Sequence, residues 1–156
     1  MCVAWMPVVI AMGSLSHTLK CVKKSIAYNA HLAANQLVQE MLFRMAAMTS
    51  SIYLLAERVT RDFQSGHCGM PAICLAKAYN TKIGREIVSI SREILGGNGI
   101  VLDFHIASKF DDMESVFTYE DTYEINALIC GRSLTGIAAI KSAASVNTEY
   151  ASKIRL

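Results

Sequence analysis

Residues 36–63 read QLVQEMLFRMAAMTSSIYLLAERVTRDF, and this run decides the fold class. Leu37, Met41, Met45, Met48, Ile52, Leu55 and Val59 recur at steps of three and four, the spacing that lines up side chains on one face of an α-helix. Methionines on such a stripe are adaptable core fillers. The pattern predicts a helix over about 33–63. Upstream, Val9, Met12, Leu15 and Leu19 keep the same spacing and predict a helix over about 5–28, with Asn29-Ala30-His31 as a break. Downstream, Ser65-Gly66-His67-Cys68-Gly69 ends the run, and Pro71 stands where a first helical turn accepts it. A third helix follows to about 95, carrying Leu75, Ala78, Ile83, Ile87, Ile90 and Ile94, and Gly96-Gly97 stops it. Residues 98–117 read as irregular, with one short helix near 104–110. A last long helix is expected from Asp121 or Thr122, either of which can cap it, to about 142. No strand-period segment stands out. Long helices joined by short turns predict an all-α, antiparallel four-helix bundle over 1–145, followed by a polar tail over 146–156.

The composition agrees. The chain has 156 residues, 53% of them hydrophobic and 18% charged, which fits one globular domain with a sizeable core. Its net charge of +2 comes from scattered basic residues with no basic-aromatic stripe, which argues against nucleic acid as a partner. Five cysteines, an odd number without a CxxC pair, fit a reduced compartment. Residues 1–18 carry no charged side chain. The absence of a basic leader, the interruptions at Pro7, Gly13, Ser14, Ser16 and His17, and a length short of about twenty apolar residues favour a buried helix over a signal peptide or membrane span.

The candidate chemistry lies in 95–136, LGGNGIVLDFHIASKFDDMESVFTYEDTYEINALICGRSLTG. Gly96, Gly97 and Gly99 let backbone amides approach a bulky anion, although a glycine turn after a helix also reads as a plain C-cap. It follows a helix rather than a strand, and no Gly-Lys-Ser/Thr comes after it, so neither dinucleotide fingerprint nor phosphate loop applies. Glu120 sits beside Phe117, Tyr119 and Tyr123, a setting for a partly desolvated base; its position at a helix start also suits the helix dipole. The four histidines show no metal-ligand spacing, and Cys68 and Cys74 lack partner ligands for zinc. Adjacent His67 and Cys68 make a poor catalytic dyad. Asp111, Asp112, Glu114, Glu120 and Asp121 read as a solvated acidic loop rather than a cation site. No metal is expected.

Taken together these residues resemble the C-terminal helical domain of the acyl-CoA dehydrogenase and oxidase flavoproteins. The resemblance covers about 3–139. It rests on Val3-Ala4-Trp5 with Pro7, Ala11-Met12-Gly13, Leu32-Ala33-Ala34-Asn35-Gln36-Leu37, Ser91-Arg92-Glu93-Ile94-Leu95-Gly96-Gly97-Asn98-Gly99-Ile100, Thr118-Tyr119-Glu120, and Gly131-Arg132 with Thr135-Gly136-Ile137. Within the family it is most similar to plant peroxisomal short-chain acyl-CoA oxidases and to glutaryl-CoA dehydrogenases. The resemblance implies FAD as cofactor and an acyl-CoA thioester as substrate, with Glu120 as the base that takes the α proton while a hydride leaves the β carbon for the flavin. It implies contact of Gly96, Gly97, Gly99 and Gln36 with the FAD of a neighbouring subunit, contact of Thr122 and Glu124 with FAD, and assembly with copies of itself or with a full-length homologue. It implies residence in peroxisome or mitochondrion; Ile154-Arg155-Leu156 keeps the last two residues of a Ser-Arg-Leu type signal but not its small first residue.

The chain also departs from the family pattern. Where the family carries an arginine for the FAD pyrophosphate, Ser25 stands in Ser25-Ile26-Ala27-Tyr28-Asn29, and Lys23 and Lys24 are expected to point elsewhere. Asp121 replaces the glycine that follows the base. The N-terminal helical and middle β domains that complete the family's acyl-CoA and flavin sites are not in these residues. The sequence therefore predicts the FAD- and base-bearing part of an acyl-CoA oxidoreductase, inactive as an isolated chain. The alternative is a non-catalytic helical oligomerisation module derived from that family.

Overall fold

A computed structural model describes residues 2–27 and 29–139. Helix α1 spans Cys2–Lys24, α2 Gln36–Gln64, α3 Met70–Leu95, α4 Ile106–Thr118 and α5 Tyr123–Thr135. Between α1 and α2 lies a minimal antiparallel hairpin, β1 Ile26–Ala27 with β2 Ala30–His31, paired Ile26 to His31 and Ala27 to Ala30. Short 3-10 turns cover Leu32–Ala34, Gly96–Ile100 and Leu102–Phe104.

Helix α3 is the axis, packed against all four other α-helices. Ile87, Ile90 and Ile94 on it meet Val8, Ala11 and Val22 of α1 and Val38, Met45, Ile52 and Ala56 of α2 in the main core. Small residues let the helices come close. A Cβ on Gly84 would stand 2.7 Å from Met113 Sδ of α4 and 3.3 Å from Pro7 Cβ of α1. Several buried polar groups on α3 reach neighbouring helices, while Thr81 donates within α3 itself. Asn80 Nδ2 donates to the Ala4 carbonyl at 2.9 Å and to the Ile52 carbonyl at 3.1 Å, tying three helices together. Thr18 donates its one hydroxyl proton to the Ser14 carbonyl, so Ser91 is the donor in the buried 2.6 Å contact between α3 and α1. Trp5 Nε1 donates to Thr60 Oγ1 at 2.9 Å and fixes the start of α1 against the end of α2.

The all-α bundle is as expected, but its partition differs. Helix α1 stops at Lys24 because the chain turns into the hairpin, with Asn29 at φ 63°, a conformation Asn tolerates better than most. Helix α2 starts at Gln36, since Asn35 Oδ1 accepts the Leu37 amide at 2.9 Å as a cap. Pro71 does occupy the first turn of α3. The stretch read as irregular holds a complete 13-residue helix, α4, whose Met113 and Val116 are buried against the core. The last helix ends at Thr135, where Gly136 adopts φ 71° as a left-handed stop. Both α4 and α5 run antiparallel to α3: Glu114 pairs with Arg85 and Phe117 with Lys77, while Tyr123 lies under Lys82 and Cys130 reaches Pro71. Together they fill the place foreseen for one long fourth helix. Residues expected to complete that helix, the tail over 146–156 and the C-terminal Ile154-Arg155-Leu156 lie outside the described residues.

The charge-free N-terminal run extends into a 23-residue helix. The helix is long and apolar enough to cross a membrane, so the expectation that this segment is too short and polar does not hold, but the same length and composition suit a core helix. In this fold its place is that of a core helix, with Ala4, Pro7, Val8, Ala11, Ser14, Thr18 and Val22 buried.

Where α1 meets the start of α4, the rings of His17 and His105 stand edge to face at 5.7 Å. His17 Nε2 is buried without a hydrogen-bond partner among the described residues. Burial pushes the His17 pKa below its ordinary value, and Lys109, His105 and Lys20 push the same way. The unfolded chain therefore takes up a proton that the folded chain resists, so stability is lost as pH falls below the unfolded value of about 6.5. The urea midpoint is expected to drop between about pH 7 and about pH 5, and less steeply in His17→Phe. Equal pH dependence in parent and variant would contradict this account.

Candidate active site

The residues singled out in the sequence fall at two separate places. The first is the junction of α4 and α5. Helix α4 closes with Tyr119, whose amide donates to the Ser115 carbonyl at 3.0 Å. The chain then reverses through Glu120 at φ 55° and Asp121 at φ 68°. Neither is glycine, and the left-handed region costs an ordinary residue about 1–2 kcal/mol. Thr122 is the N-cap residue of α5, though its side chain makes no capping bond, and Glu124 lies in the first turn. Glu120, Asp121, Thr122 and Glu124 are all exposed. The enclosure expected around Glu120 is thus not supplied by its own chain. Its aromatic neighbours are engaged elsewhere: Phe117 and Tyr123 stack on each other at 6.1 Å, with the Arg85 guanidinium 4.3 Å from the Phe117 ring and Lys82 Nζ 5.1 Å from the Tyr123 ring.

Two side chains hold the junction from beneath. Lys77 of α3 is 4% exposed, and its ammonium donates to the Phe117 carbonyl at 3.1 Å and to the Asp121 carbonyl. Burial pushes the Lys77 pKa down, while the Asp121 and Glu120 carboxylates pull it back up. Buried Asn126 of α5 donates to the Asp121 carbonyl at 3.2 Å and to the Thr122 carbonyl at 2.9 Å. Beside the junction Trp5, Met6, Val9, Val116 and Tyr119 line an apolar hollow of about 460 Å³ between α1 and α4. Tyr119 thereby places the hollow one residue from Glu120.

The second place is the opposite end of α3. Gly96 takes φ 55° and ends the helix. A Cβ on Gly99 would run into the Arg92 carbonyl and stand 3.0 Å from Arg92 Cα, so only glycine lets the chain fold back here. The C-cap reading thus accounts for these two glycines. It does not account for Gly97, which has neither a positive φ nor any atom within 4 Å of a built Cβ. Gln36 starts α2 nearby, exposed, and no hydrogen bond is made by its side chain among the described residues. Lys24 and Ser25 line a hollow of about 270 Å³ together with Leu32, Asn98 and Phe104. Lys24 thus borders the same hollow as Ser25. Lys77 and Gly96 are about 28 Å apart along α3, at about 1.5 Å per residue. The two places cannot serve one small reacting centre within a single copy of the chain.

Other reactive candidates are inert or apart. His67 Nδ1 faces Ser65 Oγ at 3.1 Å, and Cys68 Sγ faces the Gly69 carbonyl, so the pair does not form a dyad. Burial pushes the thiols of Cys74 and Cys130 up, away from thiolate character.

The sequence profile of the acyl-CoA dehydrogenase C-terminal domain matches residues 1–135. The chain belongs to this family. Acyl-CoA dehydrogenases are FAD-dependent oxidoreductases. The chain is similar to a glutaryl-CoA dehydrogenase of Mycobacterium smegmatis, solved in complex with FADH2, at 30% identity and a TM-score of 0.86 over 89% of this chain and 36% of that one. It shares the fold of butyryl-CoA dehydrogenase from Megasphaera elsdenii, at 20% identity and a TM-score of 0.82 over 85% of this chain and 34% of that one. It is 24% identical over 125 residues to a 3-(aryl)acrylate reductase of Clostridium sporogenes (strain ATCC 15579), covering 80% of this chain and 33% of the reductase. The chain therefore spans about a third of the length of these relatives.

Sequence reasoning missed Lys77. Its signal was a lone charge in the apolar run Ile73-Cys74-Leu75-Ala76-Lys77-Ala78, on the same face as Cys74 and Thr81.

The left-handed pair gives a direct test. Asp121→Gly removes a backbone penalty of about 1–2 kcal/mol and adds about 0.5–1 kcal/mol of chain entropy to the unfolded state. A net gain of up to about 1.5 kcal/mol is expected in urea unfolding, and a net loss would show that Asp121 is held by contacts that outweigh its strain.

Proposed function

We propose that this chain carries the base and part of the flavin contacts for α,β-desaturation of an acyl-CoA thioester. The observation that carries the reading is Glu120, held out of the bundle on a left-handed reversal one residue from an apolar hollow between α1 and α4. The Glu120 carboxylate takes the α proton of the thioester, and the electron pair of that C–H bond becomes the second bond between the α and β carbons as the β hydrogen leaves as hydride. FAD, when bound, supplies the acceptor for that hydride. The apolar side chains of Trp5, Met6 and Val9 exclude water from one wall of the acyl position.

Gly97 supports the flavin part of the reading, since its open backbone admits a bulky group where a side chain would intrude. Gln36 offers an unengaged amide at the same end, and Lys24 offers a cation beside Ser25 in place of the missing arginine. Thr122 and Glu124 would hold flavin at the other end. The 28 Å or so between the ends requires two flavins, or two copies of the chain, for both sets to be used. The rest of the acyl-CoA and flavin sites would come from protein beyond these residues, as in the longer relatives, so the chain alone is inactive. Residence in peroxisome or mitochondrion belongs to the same proposal.

A second reading is a non-catalytic module that pairs with copies of itself or with a full-length homologue. Exposed Val9, Met12, Tyr53 and Leu54 on the α1–α2 side favour it.

One experiment separates the readings. The chain is combined with the N-terminal and middle domains of a glutaryl-CoA dehydrogenase relative, and FAD retention and turnover of short acyl-CoA thioesters are measured. Glu120→Gln is expected to keep flavin and lower turnover by about 10²–10⁴-fold. Turnover unchanged by Glu120→Gln would remove Glu120 as the base. Stable assembly without flavin or turnover is the outcome that supports the module.

A further inference from the structure

A chain reversal built on two consecutive left-handed residues, neither of them glycine, persists only where its surroundings over-determine it. Here the hydrogen bonds point to the group responsible. Lys77 rises from the central helix into the base of the reversal. Its ammonium binds the Phe117 carbonyl, where the chain enters from α4, and the Asp121 carbonyl, where it leaves for α5. Both carbonyls lose their helical partners at this point, Phe117 at the frayed end of α4 and Asp121 just outside α5. Asn126 also supports Asp121, but from α5 itself, so it moves with the segment it braces. Among the described residues, Lys77 alone ties both limbs of the reversal to α3 by side-chain hydrogen bonds.

We propose that Lys77 is a positioning residue that fixes where the Glu120 carboxylate is presented. A buried lysine is a costly choice for packing alone, since a methionine of similar length would fill the same space without a charge to desolvate. What methionine cannot do is donate to two carbonyls at once. The ammonium also lies within electrostatic reach of the Asp121 and Glu120 carboxylates. Its charge compensates the acidic pair that this junction acquires with Asp121. Lys77 does not touch the reacting atoms; it acts through the backbone that carries Glu120. The functional meaning of this inference rests on Glu120 being the base, whereas the placement itself does not.

The test uses the full chain without flavin or thioester, so it is independent of turnover. Backbone ¹⁵N relaxation is measured on the parent, Lys77→Met and Lys77→Arg. In the parent, Glu120 and Asp121 are expected to show order parameters near about 0.85, the value of rigid backbone. In Lys77→Met they are expected to fall below about 0.6, with α1, α2 and the rest of α3 unchanged, and Lys77→Arg, which keeps the charge and the donors, is expected to restore most of the order. A rigid reversal in Lys77→Met would overturn the proposal. So would a loss of order spread through α3, because that is the mark of a packing role. If Lys77→Met does not fold, Lys77→Leu, which also lacks a donor, is measured in its place, and the same two outcomes decide. Should the reversal loosen as expected while Glu120→Gln leaves turnover unchanged in the assembled enzyme, the base reading fails and the positioning role stands.

Discussion

Every other feature of this protein hangs on the central place of α3, which buries 12 of its 26 residues and packs against all four other helices. A helix covered on most sides has to be narrow where others cross it and has to satisfy whatever polar groups it brings inside. Ala76, Ala78 and Gly84 provide the narrowness, and Asn80, Thr81, Ser91 and Lys77 are the polar groups. Each of the four donates to, or shares a proton with, a backbone carbonyl or hydroxyl. A hydrogen bond of this kind adds only about 1 kcal/mol net, but leaving such a group unpaired costs about 1–3 kcal/mol. The polar set therefore fixes which helices pack where, while the aliphatic residues supply the larger part of the stability.

Because α3 is rigid and continuous over 26 residues, it also sets the distance between the two candidate sites. One end carries the glycine turn with Gln36 and Lys24 around it, and the other carries the reversal with Glu120. The relatives contain about twice as much further chain, and the places where this domain is open to it are the exposed reversal, the hollow between α1 and α4, and the unoccupied backbone at Gly97. The departures from the family fall at these same two ends. Asp121 imposes backbone strain and a second carboxylate beside Glu120. Ser25, read in the sequence as the other departure, borders a hollow with Lys24 at the opposite end.

The fold class was legible because the apolar stripe of α2 has helical period, and tertiary packing covers that stripe from Met41 to Val59, although Leu37 is exposed and Val38 is buried in its place. Helix boundaries were legible where side-chain chemistry fixes them, as at Pro71 and Gly96. They were misread where the decision is made by partners distant in sequence. Helix α4 carries few strong periodic signals, and what makes it a helix is the burial of Ile106, Met113 and Val116 against α1 and α3. The last helix was given too many residues because Gly136 was not weighed as a stop.

The sequence by itself determined an all-α bundle, the family, and the residue types at the two candidate sites, because periodicity, capping and motif spacing are local properties of the chain. Only the tertiary structure decided that those sites lie at opposite ends of one helix, that two of the three turn glycines serve the chain's own backbone, and that Glu120 is exposed rather than enclosed. It alone brought Lys77 beneath a reversal that begins forty residues later in the chain. Such placements depend on which helix faces lie against one another, and no stretch of sequence read alone contains that information.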